Sequence, residues 1–179
     1  SLQNDMVLHI SNMLEIVPPM LLIMMVTNEP WSKFGIQRPR WIVDSAIAVG
    51  LWLLSTYAQD LAFALMPPVE FESIETNETR PVGLKMMLLC LLGLTANSII
   101  EEVTMRGYLI PRFEDLFRSS TVAVILSSFL FASYHVNQGV QNAISVFAFG
   151  LVYGIGFCLF RRLWPLIVAH TVSNLVFYY

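Results

Sequence analysis

The chain has 179 residues, of which 56% are hydrophobic and 13% charged, with a mean hydropathy of +0.64, against roughly 45–50% apolar and about 25% charged residues in a soluble domain. Its length is that of one domain, 1–179, and a net charge of −3 is too small and too dispersed to point to nucleic acid or a strongly basic partner. The composition excludes an ordinary soluble fold and predicts an all-α, polytopic transmembrane bundle.

Apolar stretches long enough to span a bilayer, roughly 17–25 residues, alternate with short polar connections. Residues 6–27 form the first, interrupted by Glu15 and the Pro18-Pro19 pair. The preceding "SLQNDM" has no basic n-region and no small-residue cleavage site follows, so a removable signal peptide is not expected; the absence of an initiator Met leaves room for a further span upstream. Residues 41–66 form the second span, 84 to about 110 the third, and 120–136, 140–160 and 163–179 the last three, about six in all. Cys90 and Cys158 lie in apolar runs without CxxC spacing and read as buried small hydrophobes. Trp31, Trp41 and Trp164 fall at span ends as interfacial anchors. Gly150, Gly154 and Gly156 give the fifth span a small-residue face for close packing within the bundle.

Lys and Arg concentrate on the cytoplasmic side of membrane proteins. Lys33, Arg38 and Arg40, then Arg106, Arg112 and Arg118, then Arg161 and Arg162 occupy alternate connections, which accounts for eight of the ten basic residues. Arg80 and Lys85 fall in the other set, beside Glu70, Glu72, Glu75 and Glu78. Six spans with both ends non-cytoplasmic is the self-consistent topology.

Against this background Glu101, Glu102 and Arg106, then His135, then His170 with Asn174, stand in apolar runs. An ionisable group at the bilayer centre costs at least ~2.5–3.5 kcal/mol, so such residues mark an interior that uses them. Helical spacing puts Asn97, Glu101 and Met105 on one face and Ser98, Glu102 and Arg106 on the next. Glu102 then pairs with Arg106, and Glu101 is left to face a cavity. Phe131, one turn before His135, is placed to pack beneath the imidazole, and Asn174 follows His170 by one turn. On a rise of 1.5 Å per residue, Glu101 lies roughly 16 Å from Arg112 and His170 roughly 12 Å from Arg162, whereas His135 lies roughly 25 Å from Arg118.

The segments "EEVTMRG", "FASYH" and "HTVSN" resemble, in order and rough separation, the EExxxR, FxxxH and HxxxN/B motifs of the CPBP family. These are the CAAX-protease and bacteriocin-processing intramembrane peptidases, also called Abi proteins. The match covers the motif-bearing core, about 84–179, and "RG" followed by "YLIPRF" resembles the prokaryotic branch. The resemblance implies a CAAX-protease-like helical core around a cavity open to the cytoplasm and bilayer, in a prokaryotic cell membrane. It makes Glu101 the base that activates water, with His135 sharing that water or binding a metal. His170 and Asn174 become the groups that steady the oxyanion, and Glu102 and Arg106 the supporting groups. The chemistry of the side chains agrees: hydrolysis needs an activated water and a donor for developing negative charge, and an amide such as Asn174 donates without carrying charge.

Glu101, His135 and His170 are also the types of side chain that hold zinc. The expectation is therefore either zinc or another divalent metal on those three residues, or a metal-free glutamate mechanism. The expected function is an intramembrane endopeptidase acting near the membrane surface on a prenylated or otherwise lipidated protein, a bacteriocin or a signalling peptide. A non-catalytic immunity or scaffold protein of the same family is the alternative. A small transporter would also bury Glu and His, but the inverted repeats and broken helices expected of one are not visible in the sequence.

Overall fold

The computed structural model of the protein describes residues 1–66 and 81–178. Glu70, Glu72, Glu75, Glu78 and Arg80 lie outside the described residues. The described chain forms helices and no strand: α1 (Leu2–Val26), a 3-10 turn (Trp31–Phe34), α2 (Trp41–Ala64), α3 (Leu84–Glu101), a π-helical segment (Glu102–Leu109), α4 (Ile110–Phe117), α5 (Ser120–Ser133), a 3-10 turn (Val136–Gln138), α6 (Val140–Phe160) and α7 (Leu163–Tyr178). The α3–π–α4 run is one continuous rod, so the described residues make the expected six-rod bundle.

Four of these rods are long and apolar enough to cross a membrane: Leu2–Val26, Trp41–Ala64, Leu84–Phe117 and Val140–Phe160. The other two are shorter, with 14 residues in α5 and 16 in α7. At 1.5 Å per residue these reach about 21 and 24 Å, less than a hydrocarbon core of roughly 30 Å. The expected fourth span, 120–136, is therefore a partial one. Its helix ends at Ser133 because "YHVNQG" turns the chain, with His135 at φ −94°, ψ 0° and Gly139 at φ 101°.

α1 lies along α3, α2 packs on α6 and α7, and α5 packs on α6. Close approach requires small residues. A Cβ on Gly93 would stand 2.9 Å from the Met6 Cα of α1, and one on Gly150 2.9 Å from the Ser128 Cβ of α5. One on Gly156 would stand 2.6 Å from a Leu51 methyl group of α2. The glycine face of α6 thus serves packing within the bundle, as expected. Large apolar side chains such as Val49, Leu53 and Leu61 of α2 point outward, the direction of lipid in a membrane protein.

The three basic connections meet at one end of the bundle, where Lys33, Arg112, Arg161 and Arg162 are paired with carboxylates. Glu29 contacts both Lys33 and Arg112, which hold its carboxyl down at about 2. Lys33 also reaches Asp115 at 2.8 Å, and Arg161 grips Glu114 at 2.5 and 2.7 Å. The most buried pair at this end is Arg162 with Asp44, at 2.5 and 2.9 Å. Arg162 additionally donates to the Arg38 carbonyl (2.7 Å), and Leu163 N–H to the Gly35 carbonyl (2.9 Å). These bonds fasten the segment "FGIQRPR" to the start of α7, the helix that carries His170.

Removing one partner of a buried pair strands the other charge. Arg162→Ala is expected to lower stability in detergent by about 3–5 kcal/mol, whereas the more exposed Arg161→Ala costs under about 1 kcal/mol. Unfolding of both variants in one detergent checks this; equal losses would contradict it.

Candidate active site

The site is built where α3 changes register. Pro111 has no N–H and its ring crowds the carbonyl four residues earlier; that residue is Gly107, in the π-helical stretch Glu102–Leu109. The Ser127 hydroxyl of α5 donates to a carbonyl of this stretch, Met105 O, at 2.7 Å. Such π segments are frequent at functional sites.

Glu101 and Glu102 stand at the junction and diverge. Glu102 is fully buried and Arg106 is 1% exposed. Arg106 Nη1 donates to Glu102 Oε1 at 3.2 Å, the pairing that the spacing predicts. The guanidinium also lies 4.6 Å from the Phe131 ring centroid and 5.6 Å from that of Tyr153, so aromatic faces supply part of its neutralisation. Arg106 is therefore an interior group rather than a marker of the membrane boundary.

His170 joins the two carboxylates. Its Nδ1 is 2.7 Å from Glu102 Oε1 and its Nε2 is 3.2 Å from Glu101 Oε2. A ring with both nitrogens facing carboxylates needs a proton on each side, carried by the imidazole or shared with a carboxyl group. Phe149 and Tyr153 wall the ring at 4.8 and 5.8 Å between centroids. The second Glu101 oxygen, Oε1, accepts from the Tyr134 hydroxyl at 3.1 Å. Glu101 is thus held on both oxygens and still lines the cavity.

That cavity, of about 1340 Å³, brings together Glu101, His135, His170 and Asn174. His135 Nδ1–H donates to the Phe131 carbonyl at 2.9 Å, and its ring lies 5.0 Å from that of Phe131, as expected. It stands in the turn after α5 rather than inside a span, which accounts for its separate depth: Glu101 and His170 form the floor and His135 stands nearer the mouth. Asn174 Nδ2 donates to Ser98 Oγ at 3.2 Å, fixing the amide with one N–H spare.

The sequence reading missed Tyr134. In a helix, neighbours i and i+1 diverge by about 100°, so Tyr134 and His135 would not share a face; the turn lets both serve the cavity. The tyrosine's position beside His135 in "FASYH" was the available signal.

The zinc expectation does not fit this arrangement. Both His170 nitrogens are engaged by carboxylates, and among the described residues no three His, Cys, Asp or Glu side chains are grouped to hold a metal ion.

The lining residues also fix where the cavity opens. They come from the C-terminal halves of α2 and α7, the N-terminal half of α6 and the turn after α5. This is the end of the bundle opposite the basic connections. A cytoplasmic basic end and a cavity open to the cytoplasm therefore exclude one another.

A bundle of long apolar helices with a carboxylate–histidine cluster at the floor of a cavity defines an integral membrane protein with a polar interior site. Residues 83–176 match the family described as type II CAAX prenyl endopeptidase Rce1-like, and the chain belongs to that family of proteases. No curated protein and no solved structure matches it.

The double variant tests the buried pair. Arg106→Met alone is expected to cost about 3–5 kcal/mol by leaving Glu102 uncompensated, and adding Glu102→Gln is expected to recover part of that loss. Thermal unfolding in detergent checks it; a double variant as unstable as the sum of two singles would contradict the pairing.

Proposed function

We propose that this protein is an intramembrane endopeptidase in which Glu101 activates the hydrolytic water. The observation that carries this reading is the contact of Glu101 with His170, itself backed by Glu102 and Arg106, at the floor of a large cavity. Glu101 removes a proton from water as the oxygen attacks the peptide carbonyl carbon. When the tetrahedral intermediate collapses, the C–N bond breaks and the departing amine takes that proton. His170 and Tyr134 hold the Glu101 carboxylate in position, and Glu102 with Arg106 holds His170.

The contacts of His170 favour this orienting role over oxyanion stabilisation. The spare Asn174 N–H becomes the oxyanion donor, a role typically worth about 2.7–4 kcal/mol. With Nδ1–H committed to Phe131, a neutral His135 presents a lone pair at Nε2, which suits it to accept from the same water. No step requires a metal. The substrate in this reading is a peptide segment reaching into the membrane, in a lipidated protein, bacteriocin or signalling peptide, and the "RG…YLIPRF" pattern supports a prokaryotic membrane.

Glu101→Gln is expected to lower kcat for a peptide panel by at least about 100-fold with little change in stability, and His135→Ala to lower it too. Detergent-purified protein with and without a chelator provides the measurement. Cleavage unaffected by either substitution, or no cleavage product at all, would favour a scaffold or immunity role, and loss on chelation alone would return the metal to the site.

We further propose that the mouth faces the non-cytoplasmic side, because the basic end is cytoplasmic by the distribution of Lys and Arg. With Cys90 and Cys158 replaced by Ser, Gln138→Cys at the mouth is expected to react with an impermeant maleimide in right-side-out vesicles and Arg118→Cys is not. The opposite labelling would place the cavity on the cytoplasmic side.

A further inference from the structure

We propose that the basic end of the bundle holds an anionic phospholipid, with its phosphate on Arg38 and Arg40 and an acyl chain in the apolar groove between α2 and α7. This site stands at the end opposite the mouth of the catalytic cavity and does not depend on the peptidase reading.

The charge is what the ion pairs leave over. At this end Lys33, Arg112, Arg161 and Arg162 are matched by Glu29, Asp115, Glu114 and Asp44. Arg38, Arg40 and Arg118 are exposed and have no ion pair among the described residues. Asp44, four residues from Arg40, is already committed: Oδ1 accepts from Arg162 Nε, and Oδ2 accepts from Arg162 Nη2 and from the backbone N–H of Arg40. The Arg40 guanidinium acts on it only as a more distant charge.

The segment that carries these two guanidinium groups is nonetheless fixed. The Arg38 carbonyl accepts from Arg162 at 2.7 Å, and the Gln37 carbonyl accepts from the Trp164 indole N–H at 3.1 Å. Arg38 and Arg40 therefore stand beside the first turn of α7 as well as at the head of α2. Trp41 and Trp164, 78% and 46% exposed, flank them, which is the aromatic setting of the headgroup region. Guanidinium forks match the oxygens of a phosphate.

A groove of about 230 Å³ begins beneath this patch. Its walls are Ala48, Val49 and Trp52 of α2 and Val168, Ala169 and Val172 of α7, with the Ser45 side chain as a further polar member. Both helices start at the basic end, so depth can be read along each. At 1.5 Å per residue Ser45 lies about 6 Å below Trp41, and Val168 about 6 Å below Trp164. The two helices thus agree on a groove whose top is about one turn beneath the arginines. Val49 and Val168 are 55% and 51% exposed, so the groove opens sideways to lipid, and Trp52 ends it against the wall of the catalytic cavity. Free phosphate would use the arginines alone and a neutral lipid the groove alone; an anionic phospholipid is matched to both.

The test places the whole protein in nanodiscs of phosphatidylcholine and phosphatidylglycerol in equal amounts. Lipid retained after transfer to a neutral detergent is identified by native mass spectrometry. Wild type is expected to retain phosphatidylglycerol over phosphatidylcholine by on the order of tenfold, since each cation near an anionic headgroup strengthens binding by about fivefold. Arg38→Gln combined with Arg40→Gln should bring the ratio close to unity, and thermal unfolding without added lipid checks that this variant is folded. Arg118→Gln, on the turn between α4 and α5, should leave the ratio unchanged. Val168→Trp, which fills the groove from its exposed edge, should lower retention of phosphatidylglycerol. Added phosphatidylglycerol should raise the unfolding temperature of wild type, and inorganic phosphate should not. No preference for phosphatidylglycerol, a ratio unmoved by the paired substitution, or a comparable loss with Arg118→Gln would overturn the proposal. Stabilisation by inorganic phosphate alone, or retention indifferent to Val168→Trp, would overturn the lipid and leave a phosphate patch in its place.

Discussion

Two adjacent carboxylates inside a membrane protein have to be neutralised without water, and the way Glu101 and Glu102 achieve this organises the rest of the molecule. A lone charge in hydrocarbon is costly, and a buried pair needs further contacts to offset its desolvation; here Glu102 Oε2 and Arg106 Nε and Nη2 have no hydrogen-bond partner among the described residues, so aromatic faces carry that part. Glu102 has Arg106 on its own rod, and Arg106 has the faces of Phe131 and Tyr153. Glu101 has Tyr134 and His170. His170 is the member that joins the two sides, so α3, the π segment, α5, α6 and α7 must all meet at one point. The glycines of α6 and the wide turn ahead of Pro111 are the local means by which they approach.

The two ends of the bundle consequently differ. At one end acidic and basic side chains from distant connections cancel each other and tie the α6–α7 turn to the segment before α2. At the other end the described lining carries carboxylates, histidines and amides without Lys or Arg. The first arrangement fixes the depth at which α7 presents His170 and Asn174. The second leaves a polar, water-accessible path down to Glu101. In the proposed reaction the rigid end positions the site and the open end admits the substrate.

Much of this was legible in the sequence because it depends on helical periodicity. The Glu102–Arg106 pair, the Phe131 ring under His135 and the packing role of the α6 glycines follow from i, i+4 spacing and from the cost of polarity in an apolar run, whereas the convergence of Glu101, His135, His170 and Asn174 on one cavity was implied by the family resemblance. Three features were not legible. His135 was placed inside a helix because "FLFASYH" is apolar, whereas the turn that holds it is set by the polar residues downstream. The pairing of His170 with both glutamates is a contact between rods more than sixty residues apart, which no local spacing encodes. The direction in which the cavity opens depends on which halves of the helices line it. Loop charges can orient a bundle, but they do not say which end holds the void.

The central claim is that Glu101 makes this chain a hydrolase rather than a binding protein with a polar cavity. Its most direct test is terminal-amine mass spectrometry on membranes from cells producing either the wild type or Glu101→Gln at equal levels. The expected result is a set of new protein N-termini, within or beside membrane-spanning segments, present with the wild type and lost with the variant. Identical N-termini in both membranes would contradict the account.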